Sequence, residues 1–201
     1  MEDLRRSVYT ETAKLLRRID NTRDTPGTKA LLANIRNSIN KDVSMNMDAL
    51  AFVFQNLPEE MIGSRKELND YERAILTTLQ MYALHQQANV NSVLKLDYKE
   101  RERRQNIGDA LSSLRGEDSK SIDRRFNAMI TSSDVRELEH HLRQLIKLLK
   151  AKSEVKVDYA SLANDLYWHL RKQKDGVKIE WARSYYKFRK ENEKGEDKND
   201  K

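Results

Sequence analysis

Backbone breakers are almost missing from this chain: two prolines, Pro26 and Pro58, and six glycines interrupt 201 residues. Sheets need frequent tight turns, and tight turns draw on glycine and proline, so a chain this poor in both has room for helices and little else. The expected fold is all-α, a compact multi-helix bundle in two lobes with no significant sheet. The length allows one substantial core, or two small lobes sharing it. Residues 1–98 are expected to form an N-terminal helical lobe, 99–189 a C-terminal basic helical lobe, and 190–201 a disordered charged tail. Apolar residues (38%) barely outnumber charged ones (35%), which suits slender helices with one buried face and a large charged surface.

Periodicity places the helices. Leu4, Val8, Leu15, Leu16 and Ile19 share one side of a first helix. Thr25-Pro26 reads as an N-cap followed by proline at the first helical position, opening a helix with Leu31, Leu32, Ile35 and Ile39 inward. On that helix Lys29 and Arg36, seven residues apart, fall on a common stripe. A short helix near 48–56 ends before Pro58, and a stronger one follows from about 69 to 87. Residues 88–98 lose the helical period and read as a connection. Alternating apolar pairs there, and at Val155/Val157 and Val177/Ile179, are too short for a sheet and read as extended lead-ins to helices. Ser121 is the expected cap of the helix carrying Ile122, Phe126, Met129 and Ile130, and Gly116 and Gly176 the expected helix stops.

Charge is distributed unevenly. Residues 1–100 carry 14 Lys/Arg and 14 Asp/Glu, whereas residues 101–189 carry 20 and 13. A localised positive excess attracts polyanions better than the same charge spread out. The sharpest expression is the helix expected over 134–150. Val135, Leu138, Leu142, Leu145, Ile146 and Leu149 define its apolar face. Arg136, His140, Arg143, Lys147 and Lys150 fall on a separate strip about 80° wide, with no acidic residue inside it. Solvated faces usually mix signs at i,i+4 because like charges there repel, so a single-sign ladder points to an anionic partner. Arg124 and Arg125 stand together on the helix before it, and Arg115 precedes them. In the last helix Trp181, Tyr185 and Phe188 share a face read as core, opposite Arg183, Lys187 and Lys190. Phosphate contacts of this kind are blind to sequence and sensitive to salt.

Catalysis finds no foothold. Absence of cysteine removes disulfides, thiolate nucleophiles and zinc fingers. The glycines stand singly and make no phosphate loop. Glu137/His140 has di-iron spacing without the second such pair that a di-iron site needs. Glu137/His141 and Asp165/His169 offer two ligands each and no evident third. No cofactor and no metal are expected. The longest apolar run, 49–54, is far too short for a bilayer, and the first 18 residues hold no signal-peptide-like run, so a soluble cytoplasmic protein is expected.

Four stretches in order carry a family resemblance: MYALHQQ at 81–87, NIGDALSSLRG at 106–116, SIDRRFNAMI through HHLRQLIKLLK at 121–150, and VDYASLANDLYWHL followed by VKIEWARSYY. Together with the earlier TKALLANIR, this set resembles the CasB family, the small subunit of the type I-E CRISPR Cascade complex, over about residues 25–188. The resemblance implies an all-helical, non-enzymatic subunit, two copies side by side, against the CRISPR RNA and the other Cascade subunits (CasA, CasC, CasD and CasE). It further implies contact with the guide–target duplex and with the displaced DNA strand of the R-loop. The matching positions are Arg36, Arg124, Arg125, Arg143, Lys147 and Arg183, with a tie between helices as the alternative role of the last. Lys29, Arg115, Arg136 and Lys150 join them on helical geometry alone. A helix-turn-helix regulator of duplex DNA and a scaffold that binds only proteins remain as alternatives.

Overall fold

The computed structural model describes residues 2–39, 41, 47–116 and 119–196, with the side chains of 2–7, 172 and 188–196 outside the description. In chain order the helices are α1 (Glu2–Asn21), α2 (Pro26–Asn37), α3 (Met47–Asn56), a 3-10 turn (Glu59–Met61), α4 (Asp70–Gln86), α5 (Ile107–Ser112), α6 (Lys120–Ile130), α7 (Val135–Lys152), α8 (Tyr159–Trp168), a π-helical turn (His169–Gln173) and α9 (Lys174–Glu196).

Two of these helices make the centre. In α8, Tyr159, Ala160, Leu162, Ala163, Leu166, Tyr167 and Trp168 are buried, and α4 is buried on nearly every side from Ala74 to Gln86. A helix apolar around most of its circumference has to be enclosed. α4 and α8 pack on each other; α1 covers α8, α7 and α2 flank α4, and α5 and α9 close the other side of α8. One apolar core therefore runs across the expected lobe boundary at residue 98, from Leu16 and Ile19 in α1 through Leu79 and Tyr82 to Leu145 and Trp181. Three polar side chains inside α4 are paired: Thr77 donates to Glu139, Gln86 donates to the carbonyls of Asn89 and Asn91, and His85 shares a 2.9 Å hydrogen bond with Tyr159; the buried Thr78 hydroxyl has no hydrogen-bond partner among the described residues.

Local signals explain several boundaries. Thr25 caps α2 by accepting from the Thr28 amide. Asn69 and Glu72 form a reciprocal capping box at α4, and Asn106 and Asp109 another at α5. Asp134 caps α7 through the Glu137 amide at 2.9 Å, while Glu137 reaches back to the Ser133 amide at 2.6 Å. The extended segments at 93–95 and 155–157 pair with each other through one parallel bridge, Leu94 to Val157, and no strand forms among the described residues.

Three local expectations are corrected. Ser119, not Ser121, occupies the cap position of α6; it makes no capping bond to the backbone and instead reaches the Asp123 carboxylate. Gly176 stops nothing: it lies in the first turn of α9, where helical φ/ψ is open to glycine at a cost of only about 1 kcal/mol. Val177 and Ile179 are helical rather than extended, because the π-helical turn carries the chain from α8 into α9 without a loop. The backbone of α9 runs to Glu196; residues 197–201, and the side chains of Leu4, Phe188 and Lys190, lie outside the described residues. No helix among the described residues is long and apolar enough to cross a membrane.

Candidate nucleic-acid interface

α7 is held by its apolar face. Leu138, Leu142, Leu145, Ile146 and Leu149 are buried against α4 and α6, each contributing roughly 1.5–3 kcal/mol. That seating turns the basic strip outward: Arg136, His140 and Lys147 are exposed, and Arg143 and Lys150 half-buried. Glu139, at the edge of the strip, is taken by Arg73 and Thr77 of α4 at 3.3 and 3.2 Å and so neutralises nothing on α7. Among the described residues, Arg136, Arg143 and Lys147 form no ion pair. The Nε of Arg143 is buried without a hydrogen-bond partner.

The strip connects to the first basic helix at the C-terminal end of α4. Lys150 donates to the Gln87 side chain at 3.1 Å, and Gln87 lines a cleft together with Arg23, Lys29, Leu32, Arg36 and Val90. Burial, and then the positive charge of Arg36, hold the Lys150 ammonium below its usual pKa. Lys29, Arg36 and Lys150, which come from opposite halves of the chain, thus converge around one glutamine. Arg23 was missed by the sequence reading because it lies in the α1–α2 turn rather than on a helical stripe. It is held by the Asp20 carbonyl at 3.2 Å and by the Asp20 and Asp24 carboxylates at 3.7 and 3.9 Å.

The other named residues divide. Arg124 and Arg125 are exposed on α6, which packs beside α7, and neither forms an ion pair among the described residues. Arg183 is exposed on α9 in a second cleft that also holds Arg103, Lys187, Asp109 and Glu180, a surface of mixed sign. Arg115 is not available to a ligand: its side chain is 5% exposed, bound to Asp123 through Nε at 2.9 Å and lying over the rings of Tyr185 and Tyr186. Trp181 and Tyr185, read as core, are fully buried.

The histidine–carboxylate pairs have other uses. Hydrogen bonds from the Ser133 amide and hydroxyl hold the Glu137 carboxylate below the usual range, and His141 stands 3.8 Å from it. Asp165 accepts from the Trp181 indole at 2.7 Å, and burial pushes its carboxyl up to about 7. No group of three or more His, Cys, Asp or Glu suited to a metal occurs among the described residues.

A protein-family model described as CRISPR-associated protein Cse2 matches residues 31–186. Solved structures share the fold. CasB from Thermobifida fusca is 22% identical, with 89% of this chain and 97% of that chain covered at a TM-score of 0.68. CasB from M. ruber is 21% identical, with 92% and 97% covered at 0.67, and CasB from Thermus thermophilus 22% identical, with 87% and 97% covered at 0.62. No curated protein matches.

Proposed function

The chain belongs to the CRISPR-associated Cse2 family, and from that membership we propose that it is the non-catalytic small subunit of a type I-E Cascade complex, binding nucleic-acid backbone there. Its partners are CRISPR RNA and target DNA, a second copy of itself, and the CasA, CasC, CasD and CasE subunits. Its task is to hold the guide–target duplex and the displaced strand once pairing opens the R-loop. Such an exchange replaces one duplex by another of similar stability, so modest contacts to phosphates tip it. A row of Lys and Arg that reads no base suits a complex that has to accept any target.

The observation that carries this reading is the convergence of Arg36 and Lys150 at Gln87, at one end of a strip whose Arg143 and Lys147 have no carboxylate partner among the described residues. Charges left uncompensated on a folded surface, and set close enough to repel, favour an anion between them.

The test is the double variant Arg143→Ala with Lys147→Ala in the assembled complex. Target affinity should fall by the same factor for every sequence, and the slope of log affinity against log salt should lessen by about 2, about 1 for each lost phosphate contact. An unchanged affinity and slope would leave a protein-only scaffold. Strong preference for one duplex operator would instead indicate a helix-turn-helix regulator.

A further inference from the structure

The cleft at the C-terminal end of α4 has a composition that phosphate binding alone does not explain. It encloses about 420 Å³, within the range of roughly 300–1,000 Å³ usual for small-molecule sites. Its cations, Arg23, Lys29 and Arg36, share the lining with apolar Leu32, Ala83 and Val90 and with one carboxylate, Asp24, which pairs with Arg23 and leaves Lys29 and Arg36 as the uncompensated charges among the described residues. Val90 is 87% exposed, a large apolar side chain held out at the lip. The loop that carries it is built rather than loose. Ala88 takes a left-handed backbone, φ 63°, Asn89 donates to the His85 carbonyl at 2.6 Å, and Gln86 ties down the Asn89 and Asn91 carbonyls. Exposing a valine on such a fixed turn forfeits burial energy with no return inside the free chain. The Arg23 Nε is buried without a hydrogen bond, 3.9 Å from the Asp24 carboxylate, so Arg23 shapes the wall and the free charge at the site is that of Lys29 and Arg36.

Cations beside an apolar wall match the two ends of a nucleotide, a phosphate and a base. We infer that this cleft takes one unpaired nucleotide, its base against Val90 and Leu32 and its phosphate toward Arg36 and Lys150. The inference rests on the backbone-binding reading and deepens it, since it gives the strand a fixed point from which to run along α7. Contact through a base face is tolerant of sequence, because every base has one. An anion between Arg36 and Lys150 also relieves the repulsion from Arg36 that adds to burial in lowering the lysine's pKa.

The test is titration of the full chain with dAMP and, separately, with inorganic phosphate, followed by the NMR signals of the Val90 methyls and the Arg36 Nε. dAMP should move both, phosphate only the second. Val90→Asp should weaken dAMP binding about tenfold, and Val90→Leu should preserve it. Equal shifts from the two ligands, or a Val90→Asp variant that titrates as the parent, would overturn the inference. A strand bearing 2-aminopurine, bound by the assembled complex, identifies the source: a position whose emission changes only when residue 90 is apolar marks a base of the strand, whereas binding of dAMP with no such position marks a free nucleotide. Arg143→Ala with Lys147→Ala changes neither Val90 nor Arg36 and should leave the dAMP shifts intact, so failure of the strip and failure of the cleft are separable.

Discussion

Arg115 clasps Asp123 across the α5–α6 connection, Nε to Oδ1 at 2.9 Å and Nη2 to Oδ2 at 3.2 Å. Tyr185 donates its hydroxyl to the same Oδ1 at 2.7 Å and stacks on Phe126 with ring centroids 3.7 Å apart. One guanidinium, one carboxylate and two rings thus fasten α6 to α9 and to the end of α5. Arg115 is thus buried in a structural clasp while Arg124 and Arg125, grouped with it by sequence, are exposed.

Arg115→Ala should therefore be a stability variant. Removing one partner of a largely buried pair leaves the other charge uncompensated, a loss of about 2–3 kcal/mol here because Asp123 keeps some contact with water. In a chain of this length that lowers Tm by roughly 4–12 °C. Arg115→Lys should recover only part of it, since an ammonium cannot reproduce the two parallel bonds. Nucleic-acid affinity of the folded fraction should stay as it was. A normal melting curve with weakened binding would return Arg115 to the interface.

Acid should destabilise the chain through two histidines. Burial, and then the charge of Lys150, lower the His85 pKa to about 4; burial, and then Lys178, do the same to His169. In the unfolded chain both protonate near 6.5. Between pH 6.5 and 4 the unfolded state binds more protons, so stability falls as pH drops through that window and levels below it. Asp165 acts in the opposite sense: its folded pKa of about 7 lies above the unfolded value, so its contribution is greatest at low pH and is lost as pH rises through 7. Asp165→Asn should therefore make the acid loss between pH 6.5 and 4 steeper than in the parent, read by denaturant melts at fixed pH. Parallel pH profiles for the two proteins would refute the assignment.

Gly108 sits where α5 crosses α9. A Cβ placed on it would stand 2.1 Å from the Trp181 carbonyl oxygen, a backbone atom that can move only with its helix. Gly108→Ala should cost at least the 1–3 kcal/mol typical of overpacking, with the tryptophan environment at 181 changed in near-ultraviolet circular dichroism. Gly27→Ala, where nothing lies within 4 Å, should leave the spectrum unaltered.

Much of this was legible in the sequence because it is carried by local rules. The Thr25, Asn69 and Asp134 caps and the apolar stripe of α7 depend on neighbours within one or two helical turns. The fate of Arg115 depends on Asp123 and on Tyr185, 70 residues away, and no spacing rule reaches that far. Gly176 misled for a related reason: glycine marks a helix end by propensity, yet Val177 and Trp181, buried on α9, outweigh a penalty of about 1 kcal/mol. The cleft was half visible. Lys29 and Arg36 share a wheel position, but Arg23 and Val90 enter it from turns, where sequence pattern carries no direction.

Lys150 gives the decisive comparison between structure and function. It can be explained as a cation stabilising the C-terminal end of α4, beside which it lies. It can equally be explained as a charge kept for an anion, since burial and Arg36 both disfavour it in the free chain. The two explanations predict opposite signs. If the charge serves a ligand, Lys150→Met removes a repelled, half-buried ammonium while keeping its aliphatic stem, and the Tm of the free chain should rise. Affinity of the assembled complex for target DNA should fall at the same time, with a salt slope smaller by about 1. If the charge serves α4, Tm drops and the slope is unchanged. A melting curve and a salt titration on one variant separate them, because only a residue held for a ligand trades stability for binding.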